Sequence, residues 1–228
     1  MQSLLPGVPQ RTRHRALAAV GACLAVVVAL GLGVLLDLDP QIRVDAAVSR
    51  ALYAGDDRSA GLDRLLHVLT APGTTWFRAL VFVPVAVWLV RWQRWRTLAW
   101  VVPAVLLIGP VDTGLKELVG RARPAFEGGG LEYGSLSFPS GHSSGIATLV
   151  TVALVLAWPR LRAGGRRAAA VAGVALVLLV GLTRMWLGVH FLSDVLGGWA
   201  LGLGWSLLVA VVFGALPGGR AALRSRAS

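Results

Sequence analysis

Six long apolar runs, at about residues 16–36, 73–90, 97–119, 141–158, 168–186 and 191–216, set what this chain can fold into. Each approaches the roughly 20 residues that an α-helix needs to cross a bilayer. In lipid every backbone N–H and C=O must find its partner inside the segment, so such runs are helices. The expected fold class is therefore all-α, a bundle of six transmembrane helices. A hydrophobic fraction of 56% and a mean hydropathy of +0.70 exclude an ordinary soluble domain. Pro84 lies inside the second run and is expected to kink it. Cys23, the single cysteine, sits in the first run, cannot form an internal disulfide, and is read as a packing group.

The net charge of +11 brings nucleic acid to mind, but the basic residues stand in short clusters between apolar runs rather than on one face. Membrane topology explains them better, and no nucleic-acid partner is expected. Residues 1–15, the loops after the second and fourth runs, and residues 217–228 hold 13 of the 22 basic residues and no acid. The positive-inside rule makes these segments cytoplasmic. Both tails (1–15 and 217–228) then flank one membrane domain, 16–216, in a plasma membrane, and the lipid bilayer is its first partner. Lysine is nearly absent beside arginine, a bias of GC-rich bacterial genomes. Segment 37–72 faces outward, and Leu62, Leu65, Leu66 and Leu69 recur within it at the spacing of an amphipathic interfacial helix.

Against this apolar background, three polar clusters fall at the outer ends of runs. Lys116 and Arg123 lie seven apart, two turns if helical. Pro139-Ser140-Gly141-His142 opens the fourth run, where unpaired N–H groups favour an anion. Arg184, His190 and Asp194 sit between the fifth and sixth runs, with His190 and Asp194 spaced to share one helix face. Ionisable groups at membrane depth are costly and point to function. Lys116, Arg123 and Arg184 form a cationic clamp suited to a phosphate that gains charge during transfer. His190, oriented by Asp194, is the better nucleophile, and His142 the better general acid. No carboxylate cluster suggests a metal site; the three cations stand in for Mg²⁺, and no cofactor is expected. Asp112 and Glu117 read as local charge balance, Arg121 as a surface charge or headgroup contact in preference to a group that helps the site, and Glu127, Glu132, His14 and His67 as solvated or interfacial groups.

Lys116-x6-Arg123-Pro124, Pro139-Ser140-Gly141-His142 and Arg184-x5-His190-x3-Asp194 together resemble the three-part signature of the type 2 phosphatidic acid phosphatase (PAP2) superfamily. The resemblance extends over roughly residues 45–213. Its members include lipid phosphate phosphatases, undecaprenyl-diphosphate phosphatases and phosphatidylglycerophosphate phosphatases. It implies a metal-independent phosphatase acting on a membrane lipid phosphate at the outer surface. His190 would carry the phosphohistidine, Asp194 would orient it and His142 would protonate the leaving group. The phosphate would be held by Lys116, Arg123, Ser140, Gly141 and Arg184. The third motif departs from the common pattern in opening with Thr183 rather than serine. The competing class is a non-enzymatic transporter or lipid-binding protein on the same fold.

Overall fold

The computed structural model describes residues 7–126 and 134–223, so Glu127, Glu132, Arg224 and Arg226 lie outside the described residues. The described chain folds into α1 (Gln10–Leu35), α2 (Asp39–Leu52), α3 (Ala60–Thr70), α4 (Thr75–Arg91), α5 (Trp95–Leu106), α6 (Ile108–Val119), α7 (Gly141–Ala157), α8 (Ala163–Trp186) and α9 (Leu192–Val212). No strand occurs among the described residues. Five helical stretches are long and apolar enough to cross a bilayer, and a sixth is obtained if Ala60–Gly73 and Thr75–Arg91 count as one span bent by 45°. The protein is a multi-pass membrane protein of all-helical architecture.

Three details depart from the apolar pattern alone. The first run becomes a helix that already starts at Gln10, inside the polar tail. The third run divides at Leu107 into α5 and α6. Pro110 accounts for the break, since its ring collides with the carbonyl four residues earlier and it offers no N–H to that carbonyl. In the second run α4 continues through Pro84, and the sharp bend falls instead at the Gly73–Thr74 junction. Segment 37–72 holds two helices, and the leucine-patterned one is the second. That helix, α3, packs on α8 through buried Leu66 and Thr70 while Leu62 and Leu65 stay exposed.

The core is built around α9, which packs chiefly on α7 and α1. Glycine sets how closely. A Cβ at Gly198 would stand 2.5 Å from the Ser140 carbonyl oxygen, and one at Gly202 would stand 2.2 Å from that of Ser144. Both are impossible contacts, so only glycine lets the two helix backbones meet, as in other small-residue membrane interfaces. Cys23 packs against Gly204 at the α1–α9 contact. Beyond α9 the chain folds back, and Thr97 donates a 2.9 Å hydrogen bond to the carbonyl of Ala221. Outward faces carry exposed Leu24, Val28, Val83, Val87, Val171 and Val174, the surface a bilayer covers.

Candidate active site

Helix α7 begins where the close approach to α9 is tightest. The Ser140 N–H donates to the Asp194 carbonyl at 2.9 Å, tying the start of α7 to the first turn of α9. That one bond joins the second and third polar clusters. The first arrives by another route. Gly120, with φ of +67°, ends α6 in the left-handed conformation that glycine tolerates. The chain then leaves the helix, so Lys116 and Arg123 do not lie two turns apart on one face. Arg121 and Arg123 follow on non-helical backbone. Ser137 N–H bonds back to the Arg121 carbonyl at 2.8 Å. Lys116 Nζ donates to the carbonyls of Leu136 (3.0 Å), Ser137 (3.2 Å) and Pro139, so it braces the turn that delivers Ser140.

His190 sits just before α9, not on it, while Asp194 occupies the helix's first turn. Their pairing therefore owes nothing to a shared helix face. Asp194 Oδ2 accepts the Phe191 N–H at 2.8 Å, closing the helix start, and lies 3.5 Å from His190 Nδ1. Ser137 Oγ donates to the same oxygen at 2.5 Å and stands 3.4 Å from Nδ1. On the other side of the ring, Arg123 Nη1 is 3.1 Å from Nε2 and also donates to the Val189 carbonyl at 2.7 Å. A guanidinium has no acceptor, so this contact requires a lone pair on Nε2 and places the ring proton on Nδ1. Burial pushes the imidazole down to about 3, against the opposing pull of Asp194, so the ring is neutral. The free nitrogen thus faces the cationic side of the site.

Arg184, near the end of α8, is 2% exposed and donates to Thr70 Oγ1 at 3.3 Å. It lies within Coulombic reach of Lys116, His142 and His190, as does Arg123. His142, in the first turn of α7, is thereby held in the same cationic cluster. Ser140 is fully buried and its Oγ accepts from Ser143 Oγ at 3.1 Å. The Gly141 Cα faces Asp112, whose carboxylate would stand 3.1 Å from an added Cβ. Asp112 itself is buried, takes a hydrogen bond from Ser144 Oγ at 3.0 Å, and lies 3.9 Å from Lys116. The hydroxyl of Thr183 donates to the Val180 carbonyl at 2.6 Å within its own helix.

Of the two readings of Arg121, a surface or headgroup charge and a group that helps the site, the favoured first one fails. Arg121 is no surface charge: it is 8% exposed and bridges Asp194 Oδ1 (2.8 Å) and Asp45 Oδ2 (2.7 Å). Asp45, on α2, Ser137 and Ser193 join the site without having been singled out in the sequence. The signal for Arg121 was its place between Lys116 and Arg123; for Asp45, one acid among six in segment 37–72, there was none.

The helical membrane bundle gathers three cations, a helix N-terminus and a His–Asp pair at one end, an arrangement suited to an anion. The family model of the PAP2 superfamily matches residues 97–216, and the chain belongs to that superfamily. It is similar to phosphatidylglycerophosphatase B of Bacillus subtilis, 45% identical over 92 residues, which cover 39% of this chain and 44% of that protein. It is also similar to a lipid A 1-phosphatase of Rhizobium johnstonii, 36% identical over 121 residues, 48% of this chain and 45% of that one. The chain spans about half the length of the curated relatives it matches. Among solved structures, a transmembrane PAP2 type phosphatidylglycerolphosphate phosphatase from Bacillus subtilis aligns with a TM-score of 0.70 at 25% identity, over 83% of this chain and 93% of that one. Aquifex aeolicus LpxE shares the fold, with a TM-score of 0.54 at 22% identity over 72% and 93% of the two chains.

Proposed function

We propose that the protein is an integral-membrane phosphatase that hydrolyses lipid phosphate monoesters or diphosphates, with its site at the extracytoplasmic surface and both termini in the cytoplasm. The observation that carries this reading is the contact of Arg123 with His190 Nε2, which leaves that nitrogen unprotonated and next to a cationic clamp. A phosphate drawn in by Arg123, Arg184 and Lys116, and by the α7 start at Ser140 and Gly141, would meet the nucleophile directly.

In the first step Nε2 attacks phosphorus, an N–P bond forms, and the P–O bond to the lipid breaks. The departing oxygen takes a proton from His142, which enters the step as imidazolium, the form that the negative charge of the bound phosphate favours. Asp194, behind Nδ1, stabilises the positive charge that the phosphorylated ring acquires. In the second step water attacks phosphorus, His142 takes back a proton, the N–P bond breaks, and inorganic phosphate leaves. No metal takes part in this scheme. Similar proteins are named phosphatidylglycerophosphatase B and lipid A 1-phosphatase, which supports a lipid phosphate as the substrate class; phosphatidylglycerophosphate, phosphatidate and undecaprenyl diphosphate are the candidates within it.

The test is phosphate release by purified protein in detergent with EDTA present, offering the three lipids side by side. Release that survives EDTA and vanishes in His190→Ala is expected. Full activity in that variant would move the nucleophile elsewhere, and silence on all three lipids from folded protein would favour a non-enzymatic role.

A further inference from the structure

Asp194 is gripped from two directions. Its Oδ2 faces His190, while its Oδ1 accepts Arg121 Nη1 at 2.8 Å. Arg121 is not Asp194's alone. Its Nη2 donates to Asp45 Oδ2 at 2.7 Å, and Phe191 lies under the guanidinium at 4.0 Å. Asp45 closes the network on α9 as well, accepting the Ser193 N–H at 2.9 Å through Oδ1 and the Ser193 hydroxyl at 2.6 Å through Oδ2. Ser193 Oγ in turn accepts from Arg121 Nη1 at 2.7 Å. Asp45, Arg121 and Asp194 are all buried, so solvent screens none of these charges.

One cation between two carboxylates leaves a net charge of −1. Arg121 is shared, so Asp194 keeps negative charge to direct at His190 Nδ1. With Asp45 neutral, the whole of Arg121's charge would fall on Asp194 and weaken its hold on the imidazole. We infer that Asp45 is a positioning residue, which acts through Arg121 to fix the geometry and charge of the Asp194–His190 pair. Asp45 lies outside the stretch matched by the family model, residues 97–216. Helix α2 would then complete the site and not merely pack beside it. The inference rests on the proposed role of His190 for its effect on turnover, but not for its geometry.

The experiment has two arms in detergent-solubilised full-length protein. In the first, kcat and KM for phosphatidylglycerophosphate are measured for the wild type, Asp45→Asn, Asp194→Asn and the double variant. Asp45→Asn is expected to lower kcat by about 10-fold or more with KM unchanged, the scale on which a group supporting a functional ligand acts. In the Asp194→Asn background the same change should then do nothing further. In the second arm, ¹⁵N NMR of the four histidines, with His190 assigned through His190→Gln, follows the Nδ1–H directly. Asp45→Asn should shift the His190 resonance. Should that variant not fold, Ser193→Ala should produce a smaller shift in the same direction. A kcat within about twofold of wild type and an unmoved His190 resonance would overturn the inference and leave Asp45 a structural tie between α2 and α9. A resonance moved by Asp45→Asn, with a wild type that hydrolyses no lipid phosphate, would sustain the inference and sink the proposed function instead.

Discussion

The two ends of this bundle use the same residue type in opposite ways. At the end that carries the site, Arg121 and Arg184 are buried and held by side chains from several helices. At the opposite end, Arg91, Arg94, Arg96, Arg160 and Arg162 fringe the apolar surface. There Arg160 lies over Trp88 at 5.1 Å, and Arg166 donates to the Trp158 carbonyl at 3.0 Å. The difference lies in the partners. A buried arginine needs carboxylates and hydroxyls to offset its desolvation, whereas an arginine at the membrane edge can extend to water along its own stem. Charge at one end reads as chemistry and at the other as topology.

The largest effect expected is at His190, the proposed nucleophile. His190→Ala should reduce phosphate release to background, measured with the same lipid and detergent as the wild type; a surviving rate would break the contrast at its strongest point. Next comes Arg184→Lys, which keeps the charge but loses the planar fork. Loss of one transition-state contact costs about 10²- to 10³-fold in kcat, so a near-normal rate would make Arg184 a structural group. Arg121→Ala strands two buried carboxylates and is expected to lower stability by about 3–5 kcal/mol, as breaking a buried pair does. Thermal unfolding in detergent checks this, and a loss under about 1 kcal/mol would place Arg121 with the exposed pairs. Smallest of all, Arg160→Ala should leave kcat unchanged and alter stability by no more than about 0.5–1 kcal/mol, the scale of an exposed cation–π contact. A collapse in activity there would show that the two ends are coupled.

Some of the site could be read from the chain because it is written as short local patterns. Ser140 and Gly141 precede an apolar run, so a helix start there follows from the sequence, and α7 begins at Gly141. His190 and Asp194 are close in sequence and meet in space, though as a helix entry and not as neighbours on a helix face. Lys116 and Arg123 show the limit of such reasoning. Seven residues suggested two helical turns, but Gly120 ends α6 between them and sends Arg123 to the far side of the His190 ring.

What the sequence by itself determined is the membrane-spanning helical character and the set of polar residues that lipid would not tolerate without a purpose. Both follow from properties of single segments: apolar length, and the cost of charge within it. What only the tertiary structure decided is which charges meet. Asp45 and Arg121 are 76 residues apart, and Arg121 and Asp194 a further 73. Their contact depends on the left-handed turn at Gly120 and on α2 packing beside the start of α9. Pairing across such distances depends on packing, and packing is a property of the assembled bundle that no single stretch of sequence carries.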